Sequence, residues 1–391
     1  MGEGRDKPSS PAAGRRLFEH EDCLGSLNKN VALSEKIKAI HAVLNERFPF
    51  VRRIAAAVYD HETATLQTFL YVGEDETPLP HYSARLADAP SLAEILEKGL
   101  PRVVNDLSIF AASTHEHTQR LIEHGYHSSY TMPMLHEGKL FGFLFFNAYE
   151  PDCFSEEVLR QIDPFGHLIA LTLINDLSIM HHLLATVRTA RDMMRARDGE
   201  TGSHLDRMSR FARLIAHGVA DLYQLSDEYI EKIFIYSPLH DIGKLAIPDR
   251  VLLKPGRLDA DEEALMRTHT LRGREMIDRM LQNYEMLQMR GGDILRNIAL
   301  FHHESIDGSG YPEGRTGDDI PIEARIVAVA DIFDALTSRR PYKQAWSNDE
   351  AFALLQKLAG VKLDANCVDA LLGSRDEVEE IQRRFEENTI G

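Results

Sequence analysis

The spacing of apolar residues points to two β-hairpins in the first 150 residues. Apolar side chains recur at every second position over residues 54–58, and Leu66, Thr68, Leu70 and Val72 continue the alternation after a polar segment. A second pair of runs, residues 130–135 and 140–146, is more densely apolar and is separated by Glu137-Gly138. A period of two residues turns one face of a strand toward a core, so each pair predicts a hairpin.

Elsewhere the apolar residues follow the three-to-four-residue period of amphipathic helices. In the N-terminal half this period predicts a helix over Ser34–Arg47 and another that begins at Glu156, after the capping residue Ser155. The C-terminal half is predicted to be helical throughout. Its predicted helices include Asp227–Tyr236, Asp259–Asn283, one that ends at His302, and Glu377–Asn388.

A heptad-like stripe joins the two halves. Its members step alternately by four and three residues, with one arginine as the charged interruption: Leu173, Leu177, Met180, Leu184, Val187, Arg191 and Met194. This spacing predicts a continuous connecting helix over residues 173–198, and we expect its seam to form a parallel homodimer. The alternative is that the stripe packs against the C-terminal half of its own chain.

Composition narrows the choice of partners and compartment. The chain has 391 residues, which suits two domains, and a formal net charge of −17, which argues against a surface for polymeric nucleic acid. Its three cysteines are widely separated, as expected in a reducing compartment. No apolar run approaches the roughly 18 residues that span a bilayer. We therefore expect a cytoplasmic protein that does not contact membranes.

Histidines and carboxylates are concentrated in the C-terminal half at spacings that suit metal ions. Glu200 and His204 are four residues apart and share one helical face, and Asp331 lies in an apolar segment where an unpaired carboxylate would be costly. Imidazole with carboxylate suits iron, manganese or zinc, and Asp241 could bridge two ions. The candidate ligands are Glu200, His204, His240, Asp241, His269, His302, His303 and Asp331.

Two segments around these residues resemble the signatures of HD-GYP domains, a branch of the HD phosphohydrolases that hydrolyse cyclic di-GMP. The first is His240-Asp241-Ile242-Gly243-Lys244, and the second runs from His302-His303-Glu304 to Gly310-Tyr311-Pro312. The likeness covers roughly residues 185 to 375 and includes residues 324–331 and 339–343.

The resemblance implies a role for each matching residue. The positions that match metal ligands are His240, Asp241, His269, His302, His303 and Asp331. Glu200 and His204 match the extra ligands of members that hold three ions rather than two. The positions that match the substrate site are Lys244, Arg340, Lys343 and the Gly310-Tyr311-Pro312 loop. Asp241 and Lys244 are the implied catalytic residues, and the family favours iron or manganese.

The N-terminal half resembles a GAF domain, a module that senses small molecules or partners. The likeness rests on the order of helices and strands and is clearest from Gly138 to Leu173. The predicted fold is therefore an α/β GAF-like sensor domain joined by a long helix to an all-α HD-GYP catalytic domain. We divide the chain into a disordered tail, residues 1–16, a sensor domain, residues 17–172, the connecting helix, residues 173–198, and a catalytic domain, residues 199–391.

Together these inferences predict a dimeric, metal-dependent phosphodiesterase that hydrolyses cyclic di-GMP to linear pGpG, GMP or both. Two or three divalent ions are expected, and a small molecule or protein of unknown identity would act on the sensor domain. We expect the connecting helix to deliver that input to Glu200 and His204. The alternatives are a phosphodiesterase that prefers cyclic GMP-AMP, a non-catalytic receptor for cyclic dinucleotides, and a nucleotide phosphohydrolase.

Overall fold

A six-stranded antiparallel sheet forms the centre of the N-terminal half. The computed structural model describes residues 20, 22–73, 79–110, 116–193, 202–284, 286, 291–338 and 345–386. The strands are β1 (Val51–Asp60), β2 (Thr65–Gly73), β3 (Ser83–Arg85), β4 (Arg102–Val104), β5 (Ser128–His136) and β6 (Lys139–Ala148). Their order is β3-β2-β1-β6-β5-β4, and every neighbouring pair is antiparallel. Both predicted hairpins, β1–β2 and β5–β6, are confirmed.

Helices cover both faces of this sheet. They are α1 (Leu33–Arg47), α2 (Pro90–Lys98), α3 (Glu116–Glu123) and α4 (Glu156–Met193). Ile37 of α1 and Ile162 of α4 are fully buried in one core together with Ile54 of β1. On the opposite face, Ile95 of α2 packs in a separate cluster with Phe143 of β6. Alternate residues of a strand thus serve two cores, which is why the strand segments are almost continuously apolar.

The described part of the C-terminal half is helical, and its only strand pairing consists of two isolated bridges. Its helices are α5 (Gly202–Gly218), α6 (Ala220–Tyr223), α7 (Asp227–Tyr236), α8 (Asp249–Leu252), α9 (Ala260–Arg267), α10 (His269–Asn283), α11 (Gly292–Phe301), α12 (Ile322–Thr337), α13 (Asn348–Leu358), α14 (Ala365–Gly373) and α15 (Arg375–Arg384). Helix α12 is apolar on nearly every side, and it packs against α5, α11, α13 and α14. A helix of that composition belongs at the centre of a domain.

The segment predicted as one helix over Asp259–Asn283 is divided in two at Thr268. The backbone N–H and the hydroxyl group of Thr268 both donate to the carbonyl of Leu265, at 3.1 and 2.6 Å, which ends α9. A side chain that competes for a backbone carbonyl in this way favours a helix end over a helix interior. As a result His269 is the first residue of α10 and not a position within a long helix.

Helix α4 is continuous from the N-terminal half into the connecting segment. The first two positions of the predicted seam, Leu173 and Leu177, are buried within the chain and belong to its main core. These two positions are therefore covered by their own chain and are not left free for a dimer seam. The side chains at the later seam positions lie outside the described residues, and the homodimer stays a prediction. None of the described helices has the length and the apolar run needed to cross a membrane.

The hairpin β1–β2 reaches helix α5 through buried ion pairs. Oδ2 of Asp60 lies 3.4 Å from Nη2 of Arg210 and 3.3 Å from Nη2 of Arg213, and Glu62 is 2.7 Å from the same nitrogen of Arg210. Burial alone would raise the pKa of Asp60, but the two arginines and backbone N–H donors hold it below its usual value. A second contact joins Nδ1 of His81 to Asp227 of α7 at 2.6 Å.

We expect Asp60→Asn to destabilise the protein by about 2 kcal/mol at pH 7, because two buried arginines would lose a charged partner. The folded-state pKa of Asp60 lies below its unfolded value of about 3.9, so this stabilisation is complete above the unfolded pKa and is lost on acidification through the folded pKa. Urea denaturation across pH should therefore show the difference in unfolding free energy between variant and parent shrinking as the pH falls below about 4.

The exposed pair of Arg85 and Asp88 supplies the control, since Asp88→Asn should change stability little. An equal effect of both variants at pH 7 would contradict a stabilising contact between hairpin and helix.

Candidate metal centre and active site

Hydrogen bonds to backbone carbonyls fix the orientation of three central histidines. Each ring donates from Nδ1 to a carbonyl close by in sequence: His240 to Ser237 at 2.9 Å, His269 to Met266 at 2.8 Å and His302 to Ile298 at 2.9 Å. A carbonyl oxygen only accepts, so Nδ1 must carry the proton of the neutral ring. The lone pair of each ring is therefore on Nε2, which is the nitrogen that faces the carboxylate of Asp241.

The first group of possible ligands consists of Asp241, His269, His302 and His303, whose ligand atoms lie within 4.8 Å of one another. Oδ1 of Asp241 is 3.2 Å from Nε2 of His269 and 3.6 Å from Nε2 of His302, and none of these three buried atoms makes a hydrogen bond. Burial lowers the pKa of both His302 and His303, the latter well below its usual value. The rings are thus neutral and able to coordinate a cation at neutral pH.

The second group consists of His204, His240 and Asp331, with ligand atoms again within 4.8 Å of one another. Oδ1 of Asp331 lies 3.9 Å from Nε2 of His204 and 3.9 Å from Nε2 of His240. Asp241 lies between the two groups, because its Oδ2 is 3.1 Å from Nε2 of His240 while its Oδ1 faces the first group. One carboxylate therefore contacts both sets of histidines.

Lys244 provides positive charge beside this carboxylate. Its Nζ lies 2.7 Å from Oδ2 of Asp241, and its side chain is partly exposed. Burial would raise the pKa of Asp241, but the positive charge of Lys244 holds it well below its usual value. Asp241 is therefore ionised, as a metal ligand must be.

The close packing of Gly243 brings Asp241 up to the start of α10. Residues Ile242–Ala246 form a 3-10 turn against that helix. A Cβ atom at Gly243 would lie 1.8 Å from the carbonyl oxygen of His269 and 2.4 Å from the backbone nitrogen of Gly273. Only glycine permits this approach, which sets the distance between Asp241 and His269.

The loop with Gly310-Tyr311-Pro312 closes one side of the first group. The backbone N–H of Tyr311 donates to the carbonyl of His303 at 3.2 Å, and the two rings lie with centroids 4.8 Å apart. The guanidinium of Arg267 lies 5.1 Å from the centre of the Tyr311 ring. Burial raises the pKa of Tyr311, so its hydroxyl group remains protonated and can donate a hydrogen bond.

Glu304 fixes the same loop through hydrogen bonds to its backbone. Its carboxylate accepts hydrogen bonds from the backbone N–H groups of Glu313, Gly314 and Arg315 at 2.7, 3.1 and 3.0 Å. Gly310 packs so closely on this turn that a Cβ atom would lie 2.3 Å from the backbone nitrogen of Ser305. The glutamate that follows the paired histidines is thus used for loop geometry and not for coordination.

The structure brings together every predicted metal ligand that it describes, namely His204, His240, Asp241, His269, His302, His303 and Asp331. Glu200, Arg340 and Lys343 lie outside the described residues. Sequence reasoning missed the role of Glu304 and also missed Asp334, which hydrogen-bonds to His204. Asp334 could have been found by the argument that singled out Asp331, since both are carboxylates on the apolar helix α12.

The donor set fits a divalent cation. It contains imidazole nitrogen and carboxylate oxygen and no thiolate, a combination that suits iron, manganese or zinc. The buried Nε2 atoms of His269 and His302 and Oδ1 of Asp241 converge without hydrogen bonds, which is costly unless a cation satisfies them. The arrangement can therefore hold one cation at each group, with Asp241 shared between them.

Comparison with known proteins agrees with this geometry. A family model described as HD domain matches residues 188–367, and one described as GAF domain matches residues 38–173. The cyclic di-GMP phosphodiesterase response regulator RpfG of Xanthomonas campestris is 49% identical over 189 residues, which are 48% of this chain and 47% of that protein. The cyclic di-GMP phosphodiesterase of Thermotoga maritima is 42% identical over 188 residues, 48% of each chain.

A relative named for another substrate also matches. The 3'3'-cGAMP-specific phosphodiesterase 2 of Vibrio cholerae is 38% identical over 227 residues, which are 57% of this chain and 41% of that protein. The chain thus spans about half the length, or less, of these curated relatives. The HD-domain match and the two groups of possible ligands agree with divalent metal binding by the C-terminal half.

The two glycines at the contact between the 3-10 turn and α10 provide a matched test of the packing. Gly243→Ala should cost at least about 3 kcal/mol, because the new methyl group meets backbone atoms that cannot move aside. Gly273→Ala should be tolerated or stabilising by up to about 1 kcal/mol, since its Cβ has ordinary contacts of 3.4 Å or more and alanine favours a helix. Urea denaturation of both variants measures the difference. Equal stability of the two would show that Gly243 does not set the position of Asp241.

Proposed function

The chain joins a GAF domain to an HD domain of the HD-GYP type, and we propose that it is a metal-dependent phosphodiesterase that hydrolyses cyclic di-GMP. The observation that carries this proposal is the position of Asp241 between two groups of histidines. Two adjacent cation sites that share a carboxylate are the arrangement used by enzymes that cleave phosphate esters. The names of the relatives from Xanthomonas and Thermotoga support the choice of substrate.

Divalent ions held at these groups would activate a water molecule and neutralise the charge that develops on the phosphodiester. The proposed ligands of the first ion are Asp241, His269, His302 and His303, and those of the second are His204, His240, Asp241 and Asp331. Glu200 would complete a third site if three ions bind. The donor set is compatible with iron or manganese, and the family resemblance favours these two metals.

The side chains around the ions would orient the substrate. Lys244 lies beside Asp241, where its charge would stabilise a phosphate oxygen in the transition state. Tyr311 presents a protonated hydroxyl group and an aromatic face next to His303. We assign the remaining phosphate contacts to Arg340 and Lys343 on the family resemblance alone. No covalent nucleophile is required, because water would supply the new P–O bond while the ester P–O bond breaks and its oxygen takes up the proton that the water gives up.

A second substrate class has specific support. The relative named as a 3'3'-cGAMP-specific phosphodiesterase is 38% identical over the matched region, so cyclic GMP-AMP is the alternative substrate. Base selectivity depends on the shape of the pocket around the bases and not on the metal ligands, which both activities would share. The product of cyclic di-GMP hydrolysis would be linear pGpG or, after a second cleavage, GMP.

We further propose that the GAF domain regulates this activity as part of a homodimer. Helix α4 runs without a break from the sheet of the sensor to residue 193, close in sequence to Glu200 and His204. The ion pairs of Asp60 with Arg210 and Arg213 offer a second connection, since they contact the helix that carries His204. The input would be a small molecule or a protein that the sensor domain binds.

The proposal is tested by turnover of anaerobically purified protein loaded with Fe²⁺ or Mn²⁺. We expect hydrolysis of cyclic di-GMP, followed by chromatography of the products, and a loss of at least about 100-fold in kcat for Asp241→Asn because two cation sites lose their shared ligand. His217→Gln is the matched control. His217 lies on the same helix as His204, but its ring packs against His81. Its activity should stay near that of the parent.

Three other results would contradict the assignment in different ways. Tight binding of cyclic di-GMP with no turnover by metal-loaded parent protein would indicate a receptor. Faster turnover of cyclic GMP-AMP would change the substrate but keep the chemistry. Release of phosphate from nucleoside triphosphates in place of dinucleotide cleavage would indicate a nucleotide phosphohydrolase.

A further inference from the structure

His204 differs from the other central histidines in what holds its ring. Its Nδ1 lies 2.6 Å from Oδ2 of Asp334, a carboxylate, whereas His240, His269 and His302 each donate to a backbone carbonyl. Asp334 is completely buried and lies one helical turn after Asp331 on α12. His204 is thus placed between two carboxylates of the same helix, with Nδ1 toward Asp334 and Nε2 toward Asp331.

Asp334 is itself held in a fixed orientation. Arg207 donates to its Oδ1 from Nε at 2.7 Å and to its Oδ2 from Nη2 at 3.1 Å, and the hydroxyl group of Ser338 donates to Oδ2 at 2.9 Å. The two-pronged contact with a guanidinium fixes the plane of the carboxylate as well as its position. Arg207 follows His204 by one turn of α5, so two pairs of residues join α5 to α12 at the second group of ligands.

We propose that Asp334 is a positioning residue that determines the affinity of the second group, His204, His240 and Asp331, for its metal ion, while the first group does not depend on it. The inference rests on the proposed metal centre and deepens it. A carboxylate that accepts the Nδ1 proton makes the imidazole a stronger ligand and fixes its direction, and loss of such a partner costs about 10- to 100-fold in metal affinity. A carbonyl partner fixes direction with less effect on basicity, which is why the two groups should respond differently.

The test is metal binding by the full chain, measured without substrate. Parent protein and Asp334→Asn are stripped of metal under anaerobic conditions and titrated with Mn²⁺, with free Mn²⁺ followed by electron paramagnetic resonance. We expect one Mn²⁺ to bind about 10- to 100-fold more weakly in the variant while the affinity of another is unchanged. The double variant with His204→Ala should bind no more weakly than His204→Ala alone, because Asp334 acts through that ring.

Asp364→Asn is the matched control. Asp364 is also a buried carboxylate of the same domain that pairs with an arginine, Arg325 at 2.8 Å, but it contacts none of the ligand residues. It should leave all Mn²⁺ affinities unchanged even if it lowers the melting temperature. Arg207→Lys is the second variant in case Asp334→Asn does not fold. Lysine keeps the charge but not the two-pronged contact, so this variant should lower the affinity for the same single Mn²⁺ ion.

The possible results separate this inference from the function proposed above. Equal Mn²⁺ binding by parent and Asp334→Asn would overturn the role of Asp334 and leave the metal centre intact. Equal weakening of every ion would indicate a general structural role and would also overturn it. Parent protein that binds no Mn²⁺ would overturn both the role of Asp334 and the proposed metal centre.

Discussion

Hydrogen bonds between imidazole Nδ1 atoms and the backbone carbonyls of Ser237, Met266 and Ile298 determine which ligands the centre of the C-terminal half can bind. Each bond assigns the ring proton to Nδ1 and leaves Nε2 with a lone pair. Because the acceptors are backbone atoms, the orientation of the rings is as rigid as the helix ends that carry them. The site is therefore organised for a cation by the fold, before any cation or substrate binds.

This arrangement also carries an electrostatic cost that a cation would remove. Buried nitrogen and carboxylate atoms that converge without hydrogen bonds destabilise a domain, and Lys244 keeps Asp241 ionised there. Coordination would convert that cost into stabilisation, so folding and metal binding should be linked in this half of the chain. The large apolar core around α12 stabilises the domain and offsets the destabilisation caused by these buried polar atoms.

The sequence was sufficient for features that depend on local periodicity and on short motifs. The spacing of apolar residues predicted the hairpins β1–β2 and β5–β6 and the helical C-terminal half. The motif around His240-Asp241 indicated which residues form the candidate metal centre. Other features could not be predicted from the sequence patterns. The burial of Leu173 within its own chain and the pairing of Asp60 with Arg210 involve a choice between partners that spacing cannot resolve. The division of the helix at Thr268 depends on a local side-chain hydrogen bond, which the spacing of apolar residues does not reveal. Asp334 was missed because its partner His204 is distant in sequence.

Anomalous diffraction from crystals grown anaerobically with Fe²⁺ would test the central claim most directly. The account predicts one iron bound through Nε2 of His269 and His302 and another through Nε2 of His204 and His240, with the Asp241 carboxylate shared between the two. The Nδ1 atoms should keep their hydrogen bonds to backbone carbonyls and to Asp334. Iron bound through Nδ1 of these rings, or no anomalous peak among these side chains, would contradict it.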